Sequence, residues 1–394
     1  MSEGEENREG SEFSVIRLDE ILRSWKNYSE FAKKFIAKRI GGSHGVSAAF
    51  DPREAFEETD FEEYVERHSM ALADSRFIKQ FREAAAKSAI PQLLDSSVVD
   101  NVIEILTAEL PPLFQRLNVL LFCKKLRRTG SPVAVAKGIR EDYLEFRDRG
   151  PTDKSSYRTA LGHWKLDIFA QICRESKRRD AMIPYAGFNS LVEISSHNPR
   201  NLLVLLAKVY EIASFKEIDI RAGNKIPVEI QSDAAIEAAR FVFESDSNYG
   251  QASIFAREAT IRLAEVLRTA RYALNIPEVS PLAVSFNNDE LTTAGRRMLE
   301  FAINYSLIQE ISEGRIDRNN QLIRRKIQLS PMLSARWGLP TARRGDISLS
   351  GEVVNAIFDQ NSKDSFEHLL KNLQNRWNLP FTPASTDLRQ EALF

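Results

Sequence analysis

SSHNPRNLLVLLAKVYEIASF, residues 195–215, is the clearest structural signal in the sequence. Asn198 is a favoured residue at the position before a helix, and Pro199 suits the first helical position because an N–H there would have no helical partner. The next residues are apolar on nearly every side. The segment therefore predicts a buried helix that begins beside Asn198.

Arg200 falls in the first turn of this predicted helix. A cation at a helix N-terminus opposes the helix dipole and is slightly unfavourable. Two interpretations stay open from the residues alone: the side chain reaches solvent or a nearby acid, or an anion lies close to it.

Apolar residues recur at helical spacing on both sides of this segment. Strand-like alternation is almost absent in the first half, which is predicted to be a helical assembly, and no repeat of fixed period is found there. The predicted helical segments are 18–36 (ending at Gly41–Gly42), 61–87, 98–123 with a break at Pro111–Pro112, 154–179, 233–244, 255–274 and 289–308.

A different pattern follows the last of these helices, in SLIQEISEGRIDRNNQLIRRKIQLS, residues 306–330. It reads as two short strands joined by a turn that contains glycine and asparagine. In the second strand Ile327 and Leu329 alternate with Lys326 and Gln328, as expected for a strand with one buried face. Helices followed by one β-hairpin are typical of a winged helix.

The composition limits the possible environments and partners. The 54 Lys and Arg nearly cancel the 55 Asp and Glu, so any attraction to nucleic acid must come from a local patch. Cys123 and Cys173 lie in apolar helical stretches and predict buried thiols in a reducing compartment. No signal peptide or membrane-spanning run is found, and the histidines form no metal-binding pair. We expect a soluble, cytoplasmic protein with no metal site and no membrane partner.

A local excess of positive charge lies between residues 257 and 345, which contain 14 Lys and Arg against 9 Asp and Glu. A winged helix lays its second helix in the major groove of DNA while the wing touches phosphates. Arginines on the predicted helix and hairpin could supply both contacts, although a solvated basic face or a protein-binding wing has the same pattern. The candidate DNA-binding residues are Arg296, Arg297, Arg324, Arg325, Lys326, Arg343 and Arg344.

Catalytic motifs are sparse. The phosphate-binding pattern GxxxxGK[ST] does not occur, and the nearest glycine cluster, GGSHG at residues 41–45, lacks the lysine. Arg158 and His163 fit the loose spacing of some helical RNA-cleaving domains, but Arg39 and His44 fit it equally. We therefore predict no catalytic residues, with RNA cleavage as a remote alternative.

Two segments carry a resemblance to a known family: GFNSLVEISSHNPRNLLVLLAKVY, residues 187–210, and LSPMLSARWGLPTARRGDISL, residues 329–349. Together they resemble the C-terminal half of bacterial origin-recognition-type AAA+ ATPases, over about residues 27–358. Such proteins have a P-loop domain, then a helical lid, then a winged helix, and many are found in mobile or defence loci. Position 197 is histidine in this sequence, where the related motif commonly has glycine.

The resemblance implies a mainly α fold, with a helical lid-like bundle followed by a C-terminal winged-helix domain that has one β-hairpin. It implies that Arg200 is a nucleotide-sensing arginine, with Asn198 and Pro199 setting the start of its helix, and that Arg324, Arg325 and Lys326 lie in the wing. The domain boundaries expected are 1–13 for a disordered acidic tail, 14–184 for a helical domain, 185–250 for the lid-like segment, 251–350 for the winged helix and 351–394 for a last helix and tail.

The part of the family that this sequence resembles does not include the P-loop domain, so we expect no self-sufficient ATPase site. ATP and Mg²⁺ would bind only if a P-loop partner is present. Arg200 would then complete the ATPase site of that partner. The expected partners are double-stranded DNA and either a P-loop ATPase chain or a second copy of this one. The alternative function is a helical scaffold that binds only protein.

Overall fold

The computed structural model describes residues 25–41, 51–68, 75–150, 154–176, 183–220, 224–246, 250–311 and 324–382. These residues form sixteen α-helices and four β-strands. The first nine helices are α1 Trp25–Gly41, α2 Pro52–Ala55, α3 Phe61–His68, α4 Arg76–Ala86, α5 Ser96–Thr107, α6 Pro112–Lys125, α7 Pro132–Arg149, α8 Ser156–Glu175 and α9 Phe188–Ile194. The later elements are α10 Pro199–Phe215, α11 Val228–Phe241, α12 Gly250–Arg271, β1 Ala283–Asn287, α13 Thr293–Asn304, β2 Ile308–Glu310, β3 Arg324–Leu329, α14 Ser334–Trp337, β4 Ile347–Ser348, α15 Gly351–Phe358 and α16 Phe366–Asn378.

The first hydrophobic core joins α1 to helices α9–α11. Tyr28 of α1 is fully buried in it, and its hydroxyl lies 2.6 Å from the Ser195 hydroxyl. A parallel β-bridge between Phe56 and Ile226 ties the end of α2 to the start of α11. This core brings the N-terminal helix against the segment that begins at residue 195.

The second core is formed by helices α3–α8. It is closed by a residue from the far end of the chain: the ring of Phe381 is fully buried and packs edge-on against Phe81 and Phe122. The carbonyl of Phe381 accepts a hydrogen bond of 2.8 Å from the N–H of Ala89. The segment after α16 therefore belongs to the core of the N-terminal helices.

The third core lies between helices α11–α16 and the sheet. The sheet has the order β2-β3-β1-β4, with β3 antiparallel to both β1 and β2, and β4 parallel to β1. The predicted hairpin arms are β2 and β3, whereas the predicted turn, residues 312–323, lies outside the described residues. The prediction of one hairpin was incomplete, because β1 and β4 extend it to four strands.

The mainly helical class with a small sheet is confirmed. The break at Pro111–Pro112 is confirmed by the end of α5 at Thr107 and the start of α6 at Pro112. Both cysteines are buried and free. No helix among the described residues is long and apolar enough to cross a membrane.

Two helix predictions need correction. The segment 61–87 contains two helices, α3 and α4, rather than one. Helix α10 buries one face only, since Leu203 is 41% exposed; apolar composition had suggested burial all round. The predicted acidic tail at 1–13, the first part of the 18–36 helix, residues 42–45 of the glycine cluster, and the last residues of the chain lie outside the described residues. The predicted domain boundaries stay a prediction.

Candidate nucleic-acid interface

Strand β3 places apolar and basic side chains on opposite faces of the sheet. Ile327 and Leu329 are fully buried against the third core. Since successive side chains alternate between faces, Arg324 and Lys326 point to the other face. Arg325 falls on the same face as Ile327, and its register partner is Phe286 of β1.

Asn288 connects this strand to helix α13. It begins the short 3₁₀ turn that follows β1. Its backbone carbonyl accepts a hydrogen bond from Nη2 of Arg296, at 3.2 Å, and its side-chain oxygen accepts one from Nη1 of Arg325, at 3.4 Å. One residue thus holds a guanidinium of α13 and a guanidinium of β3 at the same place.

Two basic side chains of β3 are paired with carboxylates. Arg325 Nε donates to Glu310 Oε1 at 2.8 Å, and Lys326 Nζ donates to Asp346 Oδ1 at 2.7 Å. Partial burial opposes the ionisation of Asp346, but hydrogen bonds from Lys326 and Ser285 outweigh it and lower the pKa of that carboxyl. The charges of Arg325 and Lys326 are therefore partly neutralised within the protein.

Arg324 differs from its two neighbours on β3. Its guanidinium donates to the hydroxyl of Ser348 on β4. Ser348 carries no charge, and the carboxylate of Asp346 lies close enough for the charge of Arg324 to lower its pKa. Among the described residues it forms no ion pair.

Arg296 and Arg297, on helix α13, are more exposed than the basic residues of β3. Helix α13 is fixed at its start by Thr292, whose hydroxyl accepts the N–H of Gly295 at 3.0 Å and donates to Asp359 Oδ2 at 2.8 Å. Both arginines are exposed, and the guanidinium of Arg297 lies 5.5 Å from the ring centroid of Phe301. In the part of the chain that the structure describes, neither arginine is paired with a carboxylate.

Arg296 and Arg325 meet at Asn288. We call these two residues and their neighbours on α13 and β3 the basic cluster: Arg296, Arg297, Arg324, Arg325 and Lys326. Arg344 lies elsewhere. Its Nη1 donates to the carbonyl of Gly162 on α8, at 2.6 Å. Arg344 also lines a cavity of 360 Å³, together with Glu193 and Arg271. Arg343 is half-buried in the same segment between α14 and β4.

The predicted helix start at residue 198 is present. The side-chain oxygen of Asn198 accepts the N–H of Arg200 at 2.9 Å, and Arg200 is exposed. Before it, Ser196 and His197 have φ angles of 58° and 57°, in the left-handed region that favours glycine. Glycine would adopt this backbone conformation at position 197 without strain.

The turn is held from both sides. The ring centroids of Tyr28 and His197 are 5.1 Å apart. On the other side, the hydroxyl of Ser196 accepts the N–H of Met332 at 3.2 Å. Arg200 thus begins a helix whose start is packed between α1 and the segment that follows β3.

The RNA-cleavage pair gains no support from its geometry. Arg158 and His163 lie five residues apart on α8, about 140° around the helix axis. Nη2 of Arg158 donates to the carbonyl of Gly150 at 2.6 Å, whereas His163 is exposed. The two side chains therefore do not share a face of the helix.

Sequence reasoning missed Asn288, which connects α13 to β3. Its signal is the Asn287–Asn288–Asp289 sequence, a combination that favours turns through side-chain-to-backbone hydrogen bonds. The partners of Arg325 and Lys326 were missed as well, because Glu310 and Asp346 are 15 and 20 residues away in sequence. Among the described residues, no group of three or more His, Cys, Asp or Glu is arranged to hold a metal ion.

Comparison with known proteins adds a family relationship. A family model described as ORC-CDC6-like matches residues 1–349 of the 394-residue chain. No curated protein and no solved structure matches the chain.

Proposed function

Because the chain belongs to the ORC-CDC6-like family, we propose that it is a DNA-binding and assembly subunit that contacts double-stranded DNA through the basic cluster. The observation that supports this proposal is that Arg296 of α13 and Arg325 of β3 meet at Asn288, with three more basic residues beside them in sequence. Guanidinium groups that converge in this way suit phosphate oxygens, which they bind through paired N–H donors.

The members of the basic cluster have different parts in this proposal. Helix α13 is exposed at Arg296 and Arg297, so these side chains can reach a groove or its phosphates without breaking an ion pair. Arg325 and Lys326 must first leave Glu310 and Asp346. We therefore expect Arg296 and Arg297 to contribute more affinity than Arg325 and Lys326.

The test is fluorescence anisotropy of a labelled DNA duplex, titrated with the protein over a series of salt concentrations. Each lost phosphate contact lowers the slope of log K against log[salt] by about 0.9. An Arg296→Ala/Arg297→Ala variant should therefore show a slope smaller by about 1.8. A variant with Arg324, Arg325 and Lys326 changed to Ala should also bind more weakly.

The matched control is Arg127→Ala/Arg128→Ala, which removes two exposed arginines between α6 and α7. It has the same change in net charge as the α13 variant and should leave the slope unaltered. No binding at low salt, or an equal loss in the control, would overturn the proposal. The first outcome would favour the protein-binding scaffold, with the basic cluster facing an acidic partner.

We further propose that nucleotide enters this system only through a P-loop domain outside these 394 residues, since the sequence contains no GxxxxGK[ST]. ATP and Mg²⁺ would be held by that domain, on a partner chain or a neighbouring copy. Arg200 would bring its positive charge toward the terminal phosphate, where charge develops during hydrolysis. Asn198 would position Arg200 by capping its helix.

This part of the proposal has its own test. Arg200→Ala should impair ATP hydrolysis by the assembled proteins and leave the melting temperature of this chain unchanged, because Arg200 is exposed. Unchanged hydrolysis in the assembly would exclude a sensing role. A loss of hydrolysis accompanied by a lower melting temperature would indicate a folding effect instead.

A further inference from the structure

A second group of arginines surrounds a cavity of 250 Å³ that includes no residue of the basic cluster in its lining. Arg76 is the first residue of α4, Arg174 lies in the last turn of α8, and Arg268 lies in the last turn of α12. We call this cavity the arginine cleft. Its other lining residues are Gln80, Glu265, Thr269, Tyr272, Leu370, Gln374 and Asn378.

The three arginines lie near Glu175 and Glu265 without forming an ion pair with either. In the described residues none of them forms an ion pair, and Arg174 instead stacks over Tyr272, with its guanidinium carbon 4.3 Å from the ring centroid. Burial lowers the pKa of Arg174, and the charges of Arg268 and Arg76 lower it further. All three side chains are also exposed, so water screens their mutual repulsion and an anion in solution can reach them.

The helix dipoles account for only part of this arrangement. A cation in the last turn of a helix is favourable, which suits Arg174 and Arg268. Arg76 stands at the opposite, unfavourable end of its helix. The carboxylate of Glu175, which accepts the N–H of Arg76, offsets part of this unfavourable position.

Glu265 lines the cleft, and Glu175 lines the small recess beside it. Oε2 of Glu175 already accepts the N–H of Arg76, at 3.2 Å, and the hydroxyl of Ser75, at 3.3 Å. Burial raises the pKa of Glu175 and that of Glu265. Burial thus disfavours the charged form of both acids, which weakens their ability to neutralise the arginines.

A fourth arginine lies beneath the cleft. Arg116 is 1% exposed, and burial lowers its pKa to about 10. Its Nε donates to Gln171 at 2.7 Å, and Gln171 lines a small recess together with Arg76 and Arg174. Nη1 of Arg116 has no hydrogen-bond partner in the described part of the chain. The cleft therefore rests on an additional buried positive charge.

We propose that the arginine cleft binds a small phosphate-bearing anion, of the size of phosphate or diphosphate. Guanidinium groups bind phosphate oxygens through two parallel N–H donors, and the side chains of Gln80, Gln374 and Asn378 add neutral donors. The cavity is smaller than the pockets that hold drug-sized ligands, which are about 300–1,000 Å³. This site is separate from the basic cluster and does not depend on DNA binding.

The test is isothermal titration calorimetry of the full chain with inorganic phosphate and with diphosphate, at constant ionic strength set with chloride. Saturable binding is expected, with diphosphate tighter than phosphate. Arg174→Gln and Arg268→Gln should each weaken it by about tenfold or more, the effect of one lost charge-assisted hydrogen bond. The control, Arg128→Gln, removes an exposed arginine outside the cleft and should bind as the unaltered chain does.

Circular dichroism confirms that the variants are folded, and duplex DNA affinity is measured on the same proteins. The expected result is that Arg174→Gln loses diphosphate binding and keeps its DNA affinity. The proposal is overturned if the unaltered chain binds neither anion, or if Arg128→Gln loses as much affinity as the cleft variants. It is also overturned if Arg174→Gln weakens DNA binding while diphosphate does not bind, since the cleft would then be a DNA contact.

Discussion

The buried ion pair between Asp167 and Arg271 allows a quantitative test of how the second and third cores are joined. Its atoms Oδ1 and Nε are 3.0 Å apart, and the two side chains are 0% and 4% exposed. The other carboxylate oxygen accepts the N–H of Ser280 at 2.8 Å, and Arg271 also donates to the carbonyl of Gly338 at 2.6 Å. The pair thus connects α8, α12 and two loops.

The perturbation is Asp167→Ala, which leaves the guanidinium of Arg271 buried without its counter-charge. Removal of one partner from a buried pair costs about 3–5 kcal/mol, a large part of the roughly 5–15 kcal/mol by which domains are stable. The matched control is Asp142→Ala. Asp142 accepts Lys125 Nζ at 2.7 Å, but its side chain is 40% exposed and that of Lys125 is 46% exposed. Water screens this pair, so its loss should cost less than about 1 kcal/mol.

The assay is urea unfolding, followed by both circular dichroism and tryptophan fluorescence to establish whether the transitions coincide. Arg271→Met and the double variant Asp167→Ala/Arg271→Met complete a mutant cycle. The double variant should lose less free energy of unfolding than the two single variants added together, because it buries no unpaired charge. If the losses in free energy of unfolding caused by Asp167→Ala and Asp142→Ala differ by less than about 0.5 kcal/mol, burial does not decide the contribution of this pair and the reasoning is refuted.

Three further predictions concern single side chains. Burial raises the pKa of Glu193, against the opposing hydrogen bond from the Thr341 hydroxyl. The stability that Glu193 contributes is thus present below its unfolded pKa of about 4.3 and is lost as the pH rises through the folded pKa. Glu193→Gln, which imitates the protonated form, should raise the melting temperature at pH 7.5 and hardly change it at pH 4. An equal change at both pH values would contradict a raised pKa of Glu193. Asn198→Ala should lower the free energy of unfolding by about 1 kcal/mol through the lost helix cap, measured in urea, and Asn198→Asp should restore it. Tyr157→Phe removes the donor, at 2.6 Å, to the buried side-chain oxygen of Asn118 and should cost about 1–3 kcal/mol in the same assay; a neutral result would mean that Asn118 finds another donor.

Local features of the fold were accessible from the sequence. The start of α10 could be predicted at Asn198 and Pro199 because helix capping involves neighbouring residues only. The break at Pro111–Pro112 is local for the same reason. The alternation of Ile327 and Leu329 with polar residues revealed β3 and its buried face.

The missed features depend on partners that are distant in sequence. Strand β4 has two residues, too few to show a period, and it exists because Ser348 pairs with Ser285 of β1. The partners Asp167 and Arg271 are 104 residues apart. The candidate interface was predicted in part: the charges on α13 and β3 were identified, but no local pattern indicated that Arg344 would donate to the carbonyl of Gly162 instead.

The burial of Phe381 among the N-terminal helices has a consequence for synthesis on the ribosome. The second core is otherwise complete once α8 has emerged, apart from Leu274, Ile276 and Phe381. Roughly 200 more residues must be translated before Phe381 is available, which takes about 10–40 s at about 5–20 residues per second. During that interval the nascent chain exposes the apolar surfaces of Phe81 and Phe122, and this is the period in which a chaperone would have most to bind.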